Sequence, residues 1–244
     1  VANQFVSKYD PKLVQQAVDR LFALLRMDEK IDPSWRVCIK PNLLMKRRPE
    51  EGTTTHPAVV RAVIRHLQAL GVENITIADS PGGVYTKAAL TGIYQASGME
   101  EVAKETGAAL NFDLGTTHCP QPEGVMCRAF DLINPVAQAD FVISIAKLKS
   151  HCMTGLSSGV KNLFGCIPGL TKPEFHWRYP KEDDFCNMLL DLCQTVKPGL
   201  TFVDAIVSME GDGPSSGNLR GTGLLLAADD PYQLDMVLSH VIGR

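Results

Sequence analysis

The residue types best suited to chemistry crowd into one stretch, Lys147 to Gly169, which reads K-L-K-S-H-C-M-T-G-L-S-S-G-V-K-N-L-F-G-C-I-P-G. Lys147, Lys149 and His151 come first, then Gly155, Ser157, Ser158 and Gly159 just ahead of Lys161 and Asn162. Small residues let backbone N–H groups approach an anion, and a following helix start adds its dipole. Lys147 or Lys161 would then supply a compact counter-charge for a phosphate or carboxylate. The alternative is a compact loop that needs glycine only for its turns. The G-x-x-x-x-G-K-[ST] order of a Walker A loop is absent, and so are G-x-G-x-x-G and G-x-S-x-G.

Other candidates are spread along the chain. His151 and His176 have the side chain that titrates near neutrality and binds metals readily. Asp79, Glu210 and Asp212 could ligate a hard cation or act as bases. Cys152 and Cys166 flank the glycine-rich stretch as soft donors. His56, in T-T-T-H-P, precedes a helical pattern that Thr54 or Thr55 would cap. Each of these also has a plain reading as a turn, cap or core residue.

These side chains need elements to position them. Apolar residues at helical spacing run from Pro11 to Met27, Pro57 to Leu70, Thr86 to Ala96, Met99 to Thr106, Asp183 to Val196 and Pro231 to Ile242. Short β-branched runs alternate with them at Trp35 to Ile39, Asn74 to Ala78, Ala108 to Phe112, Phe141 to Ala146, Leu200 to Val207 and Gly223 to Ala228. Leu114 to Gly124, with Pro120 and Pro122, reads as a loop excursion. The alternation predicts an α/β fold, a mainly parallel sheet with helices on both faces, in a single domain over 1–244. In such sheets ligands bind beyond the carboxyl ends of the strands. Five expected strand ends carry polar groups beside Gly or Pro: Lys40-Pro41-Asn42, Asp79-Ser80-Pro81-Gly82-Gly83, Lys147 to His151, Glu210-Gly211-Asp212-Gly213 and Asp229-Asp230-Pro231.

Composition excludes several classes. The 244 residues are 45% hydrophobic and 21% charged, which fits a packed domain and neither a disordered chain nor a coiled coil. No apolar run is long enough for a membrane span, and a formal charge of -3 gives no broad basic face for nucleic acid. Seven scattered cysteines without a Cys-x-x-Cys pair suggest reduced thiols and a cytoplasmic location. They also lack the spacing of a ferredoxin-type run, so no iron–sulfur cluster is expected within this chain alone. The start at Val1 without a Met suggests a trimmed piece of a longer chain.

The same segments carry a resemblance. K-P-N-L-L (Lys40 to Leu44), T-H-P (Thr55 to Pro57), A-D-S-P-G-G (Ala78 to Gly83), K-L-K-S-H (Lys147 to His151), G-V-K-N-L-F-G (Gly159 to Gly165) and A-D-D-P-Y-Q-L-D (Ala228 to Asp235) resemble the domain of unknown function 362 family. Members of that family often carry a ferredoxin module, which implies a ferredoxin-type module or subunit as a partner. The order His151, Gly159, Lys161, Pro168-Gly169, His176 is also similar to the nickel-pincer lactate racemase family. That likeness implies an acid/base role for His151, a cofactor or anion anchor at Lys161 and a metal ligand at His176.

The expectation is therefore an enzyme domain that binds a small anionic ligand, with a divalent metal as candidate cofactor, for proton-transfer or redox chemistry beside a carboxylate or carbonyl. His151, Lys161 and Lys40 are its expected catalytic residues. Asn42, Asp79, Ser80, Gly82, Gly83, Lys147, Lys149, Gly159 and Asn162 are expected around the ligand, and His176, Glu210 and Asp212 around the metal. The alternative is a non-catalytic scaffold for an iron–sulfur partner, which would show an exposed apolar patch in place of a polar pocket. A third reading is a homo-oligomer in which a second subunit completes the site.

Overall fold

The computed structural model describes residues 1–243. A first strand, β1 (Ala2–Phe5), leads into α1 (Pro11–Leu24), whose first amides, at Lys12 and Leu13, donate to the Asp10 carboxylate. Then come β2 (Val37–Pro41), α2 (Pro57–Ala69), β3 (Ile75–Ile77), α3 (Lys87–Ala96), α4 (Met99–Thr106) and β4 (Ala109–Leu110). A separate antiparallel ribbon, β5 (Thr116–Pro120) with β6 (Ala129–Ile133), precedes the short α5 (Asn134–Ala137). The long strand β7 (Phe141–His151) turns back as β8 (Gly155–Ser157) and runs into α6 (Gly159–Asn162). The chain closes with α7 (Lys172–Arg178), α8 (Glu182–Val196), β9 (Leu200–Glu210), β10 (Asn218–Ala228) and α9 (Pro231–Val241).

The main sheet has the order β1-β10-β9-β7-β2-β3-β4, with β8 added beside the far end of β7. From β9 through β4 all pairings are parallel, while β10 runs antiparallel to both its neighbours. The expected mainly parallel sheet is thus present with a mixed edge. Period-two alternation splits its side chains between two layers. Val37, Ile39, Ile75, Ile77, Ile143, Ile145, Leu200 and Phe202 pack with α1, α2 and α4 on one face. Cys38, Ala78 and Val142 meet Phe185, Met188 and Leu192 of α8 on the other, where Ala146, Leu148, Val203 and Ala205 also cover Leu234 and Leu238 of α9. Each fully buried aliphatic or aromatic side chain contributes roughly 1.5–3 kcal/mol, so the two layers supply the stability that the polar sheet end draws upon.

Three expectations need correction. Leu114 to Gly124, an excursion outside the main sheet, includes the ribbon strand β5, because Pro120 ends a two-stranded pair where its missing N–H is tolerated. The strand expected to stop at Ala146 continues through Lys147, Leu148 and Lys149 to His151. His56 itself, through Nδ1, accepts the Ala58 amide and caps α2, while Thr55 uses its hydroxyl on the Ile145 carbonyl.

Candidate functional site

The carboxyl ends of β2 and β3 lie side by side, and this adjacency joins Lys40 to Asp79. The ammonium of Lys40 contacts the Asp79 carboxylate at 2.5 Å, the Pro41 carbonyl at 2.9 Å and Asn162 Oδ1 at 3.3 Å, with 0% of its side chain exposed. The other Asp79 oxygen accepts the Leu43 amide at 2.7 Å. Gly165 lies against this pair so closely that a Cβ there would overlap the carboxylate. Asn162, from α6, also donates to the Lys40 carbonyl and to Ser144 Oγ, locking α6 onto the strand ends.

Next to this pair lies a cavity of about 70 Å³, lined among others by Asn42, Ser80, Lys149, His151, Lys161 and Lys172. A water-sized site needs about 10–15 Å³ by the same measure, so the cavity has room for about five or six heavy atoms. Lys149 is buried and donates to Asn42 Oδ1 at 2.9 Å and the Thr53 carbonyl at 2.8 Å. Lys172 is buried too and reaches the Ser80 and Pro81 carbonyls. Lys161 lies over the Phe164 and Phe185 rings at 5.2 and 5.1 Å and, among the described residues, has no hydrogen-bond acceptor. None of these three has a carboxylate partner among the described residues.

Their charge state follows from that surplus. Burial first, and the charges of Lys147 and Lys161 next, pull Lys149 down to about 7. Burial lowers Lys161 and Lys172 to about 8 each, against small opposing pulls from Cys186 and Cys152 on Lys161 and from Asp79 on Lys172. A buried ammonium without a counter-ion costs several kcal/mol, and losing its proton relieves that cost. Ser80 Oγ adds a second imbalance, since it is buried with no hydrogen-bond partner among the described residues.

His151 is held in one tautomer. Its Nδ1 accepts the Met153 amide at 3.1 Å and the Thr154 amide at 3.3 Å, which assigns the proton to Nε2. Burial, then Lys161, His176 and Lys149, lower it to about 3, so the ring is a neutral N–H donor at ordinary pH. Against the expected proton shuttle, this arrangement sets the ring up as a donor, since the nitrogen facing away from the backbone amides carries the proton.

Several expected participants are engaged elsewhere. Lys147, although on the same strand face as Lys149, forms a buried ion pair with Asp204 at 2.9 Å and donates to Tyr9 Oη at 2.7 Å. The Tyr9 hydroxyl in turn reaches Asp204 at 2.8 Å, and its ring stacks on His56 at 3.6 Å. Burial lowers His56 to about 4, away from the cavity. The amides of Gly159 and Val160, the expected anion cradle, donate to Asp235 of α9 at 2.8 and 2.9 Å, so the chain's own carboxylate fills that place. Gly82 lines the cavity, whereas Gly83 is exposed beside Gly169.

The expected metal set does not assemble. His176 is exposed and stacks on Phe185 at 4.5 Å, Glu210 pairs with Arg220 at 2.8 Å, and Asp212 is exposed. Among the described residues no three His, Cys, Asp or Glu side chains are grouped to hold a metal ion. Lys172 was not foreseen, because nothing in T-K-P marks it as a lysine that folds back under the Ser80 loop. The role of Gly165 could have been suspected from G-V-K-N-L-F-G, yet its need for bare Cα space appears only once Asp79 is placed. No helix among the described residues is long and apolar enough to cross a membrane.

Comparison with known proteins gives this geometry its context. The family model described as a domain of unknown function, DUF362, matches residues 37–240. A thylakoid-associated protein of Synechocystis sp. is 33% identical over 217 residues, covering 88% of this chain and 65% of that protein. The chain therefore spans about two thirds of that relative's length. The lactate racemase apoprotein from Thermoanaerobacterium thermosaccharolyticum aligns with a TM-score of 0.59 at 11% identity, over 95% of this chain and 55% of the racemase. A protein from Thermotoga maritima aligns with a TM-score of 0.55 at 10% identity, over 98% of this chain and 60% of the other. At those identities the likeness is one of fold alone.

Proposed function

The chain belongs to the DUF362 family, and on that premise we propose that the cavity at its strand ends is an enzyme site that binds a small anion and moves a proton at a carbon beside the bound carboxylate or carbonyl. The observation that carries this reading is the convergence of Lys149, Lys161 and Lys172 on one small cavity with no carboxylate partner among the described residues. An anion there restores electroneutrality, and the low interior dielectric strengthens its attraction. Lys149 and Lys172, each anchored by two oxygen acceptors, fix the charge. Lys161 is anchored by none and sits near 8, so its amine is the group able to take a proton. The Nε2–H of His151 donates to the oxygen on which charge develops. Lys40 acts indirectly by holding Asp79 and Asn162 in place.

The resemblance to the racemase family implies a metal cofactor anchored at Lys161 with His176 as ligand. The residues present do not fit a protein-held metal: His176 rests on Phe185, and among the described residues neither a thiol nor a carboxylate joins it in a ligand set.

The test is solvent exchange. Incubating the protein with a panel of small carboxylic and 2-oxo acids in deuterated water should incorporate deuterium beside the carboxylate or carbonyl of at least one of them. Lys161→Arg should retain binding and lose exchange. Acids that bind without exchange would overturn the catalytic reading.

A second reading rests on a separate observation. An apolar groove of about 420 Å³ between α8 and α9, lined by Leu156, Val160, Leu189, Leu190 and Met236, is open at the surface, with Met236 65% exposed. A groove of this kind suits a protein partner, and a ferredoxin-type subunit is the partner this reading proposes.

A further inference from the structure

The donors around the cavity outnumber what a simple carboxylate can accept. Lys161, once protonated, brings three free N–H groups. Lys149 and Lys172 have each used two of three on oxygens of the chain and have one left. His151 adds its Nε2–H and Ser80 its unpartnered O–H. That leaves seven donors, counted over the described residues, around a space for about five or six heavy atoms. A carboxylate offers about four lone-pair sites on two oxygens. It would leave donors unsatisfied and would neutralise only one of three cations.

We propose that the cavity is matched to a compact dianion, its charge carried on two or more oxygens, in preference to a monocarboxylate. This deepens the proposed function and rests on it. Two sources provide such a species. One is a phosphoryl group. The other is the enediolate formed when a carboxylate loses the proton on its neighbouring carbon: the C–H bond breaks, the proton passes to the neutral Lys161 amine, and the electron pair moves onto the carboxylate oxygens. No oxidant or second substrate is required. A site that holds the enediolate more tightly than the carboxylate from which it forms lowers the barrier between them.

Because the lysines sit near 7 and 8 when nothing neutralises them, a dianion should also draw protons into the cavity on binding. The experiment is calorimetric titration at pH 7 with oxalate, a planar mimic of the enediolate, and with inorganic phosphate, alongside acetate and lactate. Each titration is run in two buffers of different ionisation heat. Oxalate or phosphate should bind at least tenfold more tightly than acetate and lactate, with net proton uptake. Oxalate ahead of phosphate identifies the enediolate source, and phosphate ahead of oxalate the phosphoryl source. A preference below tenfold, or binding without proton uptake, overturns the inference. If acetate matches oxalate while solvent exchange still proceeds, only the dianion assignment falls; if no anion binds, the proposed function falls with it. Lys161→Gln, at the partly exposed wall, should narrow the preference, and an unchanged preference in a folded variant would count against the assignment.

Discussion

Asp235 accepts the Gly159 amide at 2.8 Å, across seventy-six residues of sequence, and so ties α9 to the start of α6. The second carboxylate oxygen takes the Val160 amide at 2.9 Å. Burial raises Asp235 above the usual carboxylate range, and the two amide bonds only partly restore it. The carboxylate therefore sits where an external anion was expected, and α6, which carries Lys161 and Asn162, is positioned by it.

Asp235→Ala should destabilise the fold by about 1–3 kcal/mol for each amide left buried and unpaired. Urea denaturation followed by circular dichroism measures this. Anion affinity should fall as well, because α6, which carries Lys161, loses its tie to α9. A variant as stable as the parent would show that water replaces the carboxylate without cost.

Gly165→Ala places a methyl group into the Asp79 carboxylate and against Lys40. Separating a buried ion pair costs about 3–5 kcal/mol. The expected outcome is a protein that melts well below the parent, or that accumulates insoluble, whereas Gly83→Ala, with open space around it, should melt within about 0.5 kcal/mol of the parent. Equal melting of the two variants would refute the packing argument.

The cavity lysines predict an unusual pH profile. In the unfolded chain a lysine loses its proton near 10.4. In the folded, unliganded protein Lys149 does so at about 7 and Lys161 and Lys172 at about 8. Between those limits the unfolded state binds more protons, so stability rises with pH. The window closes from above at about 8.5, where unfolded thiols ionise, because burial raises Cys38 and holds Cys166 and Cys193 at about 12. Thermal melts should therefore climb from pH 7 to about 8.5 without ligand, and Lys149→Met should flatten the slope. A melting temperature that falls across this range would contradict the buried surplus of charge.

His151 should behave as a donor. His151→Gln, which can still present an N–H near the Nε2 position, should keep anion binding within about twofold of the parent, less than about 0.5 kcal/mol. His151→Leu should weaken it by about 0.5–1.5 kcal/mol or more, the net value of one hydrogen bond. The rate profile of any exchange reaction should show no inflection near pH 6.5, since the ring does not gain a proton until about 3. An inflection there would restore the imidazole as the proton carrier.

Much of the sheet could be read from the chain because its buried strands are apolar at period two and its helices are amphipathic. The lining of the candidate cavity was legible in outline: Lys40, Asn42, Asp79, Ser80, Gly82, Lys149, His151, Lys161 and Asn162 all face it. The errors have physical causes. Lys147 and Lys149 look alike in sequence, and only a partner on β9, Asp204, removes Lys147 from the site. K-L-K-S-H looked like a loop because lysines rarely sit inside a sheet, and here distant carbonyls, amides and carboxylates take the place of water. The carboxylate that fills the glycine cradle comes from the last helix, a contact with no local signature.

The Tyr9 phenol has a bearing on how this family should be delimited. The family match begins at residue 37, yet residues 1–36 supply β1, the Val14, Val18, Leu21 and Phe22 layer, and the hydroxyl between Lys147 and Asp204. A polypeptide cut at the matched boundary would bare one side of the sheet and leave an interior cation short of an acceptor and its anion short of a donor. Sequence likeness thus outlines a smaller body than the one that can stand in water, and the leading strand and helix serve as its splint.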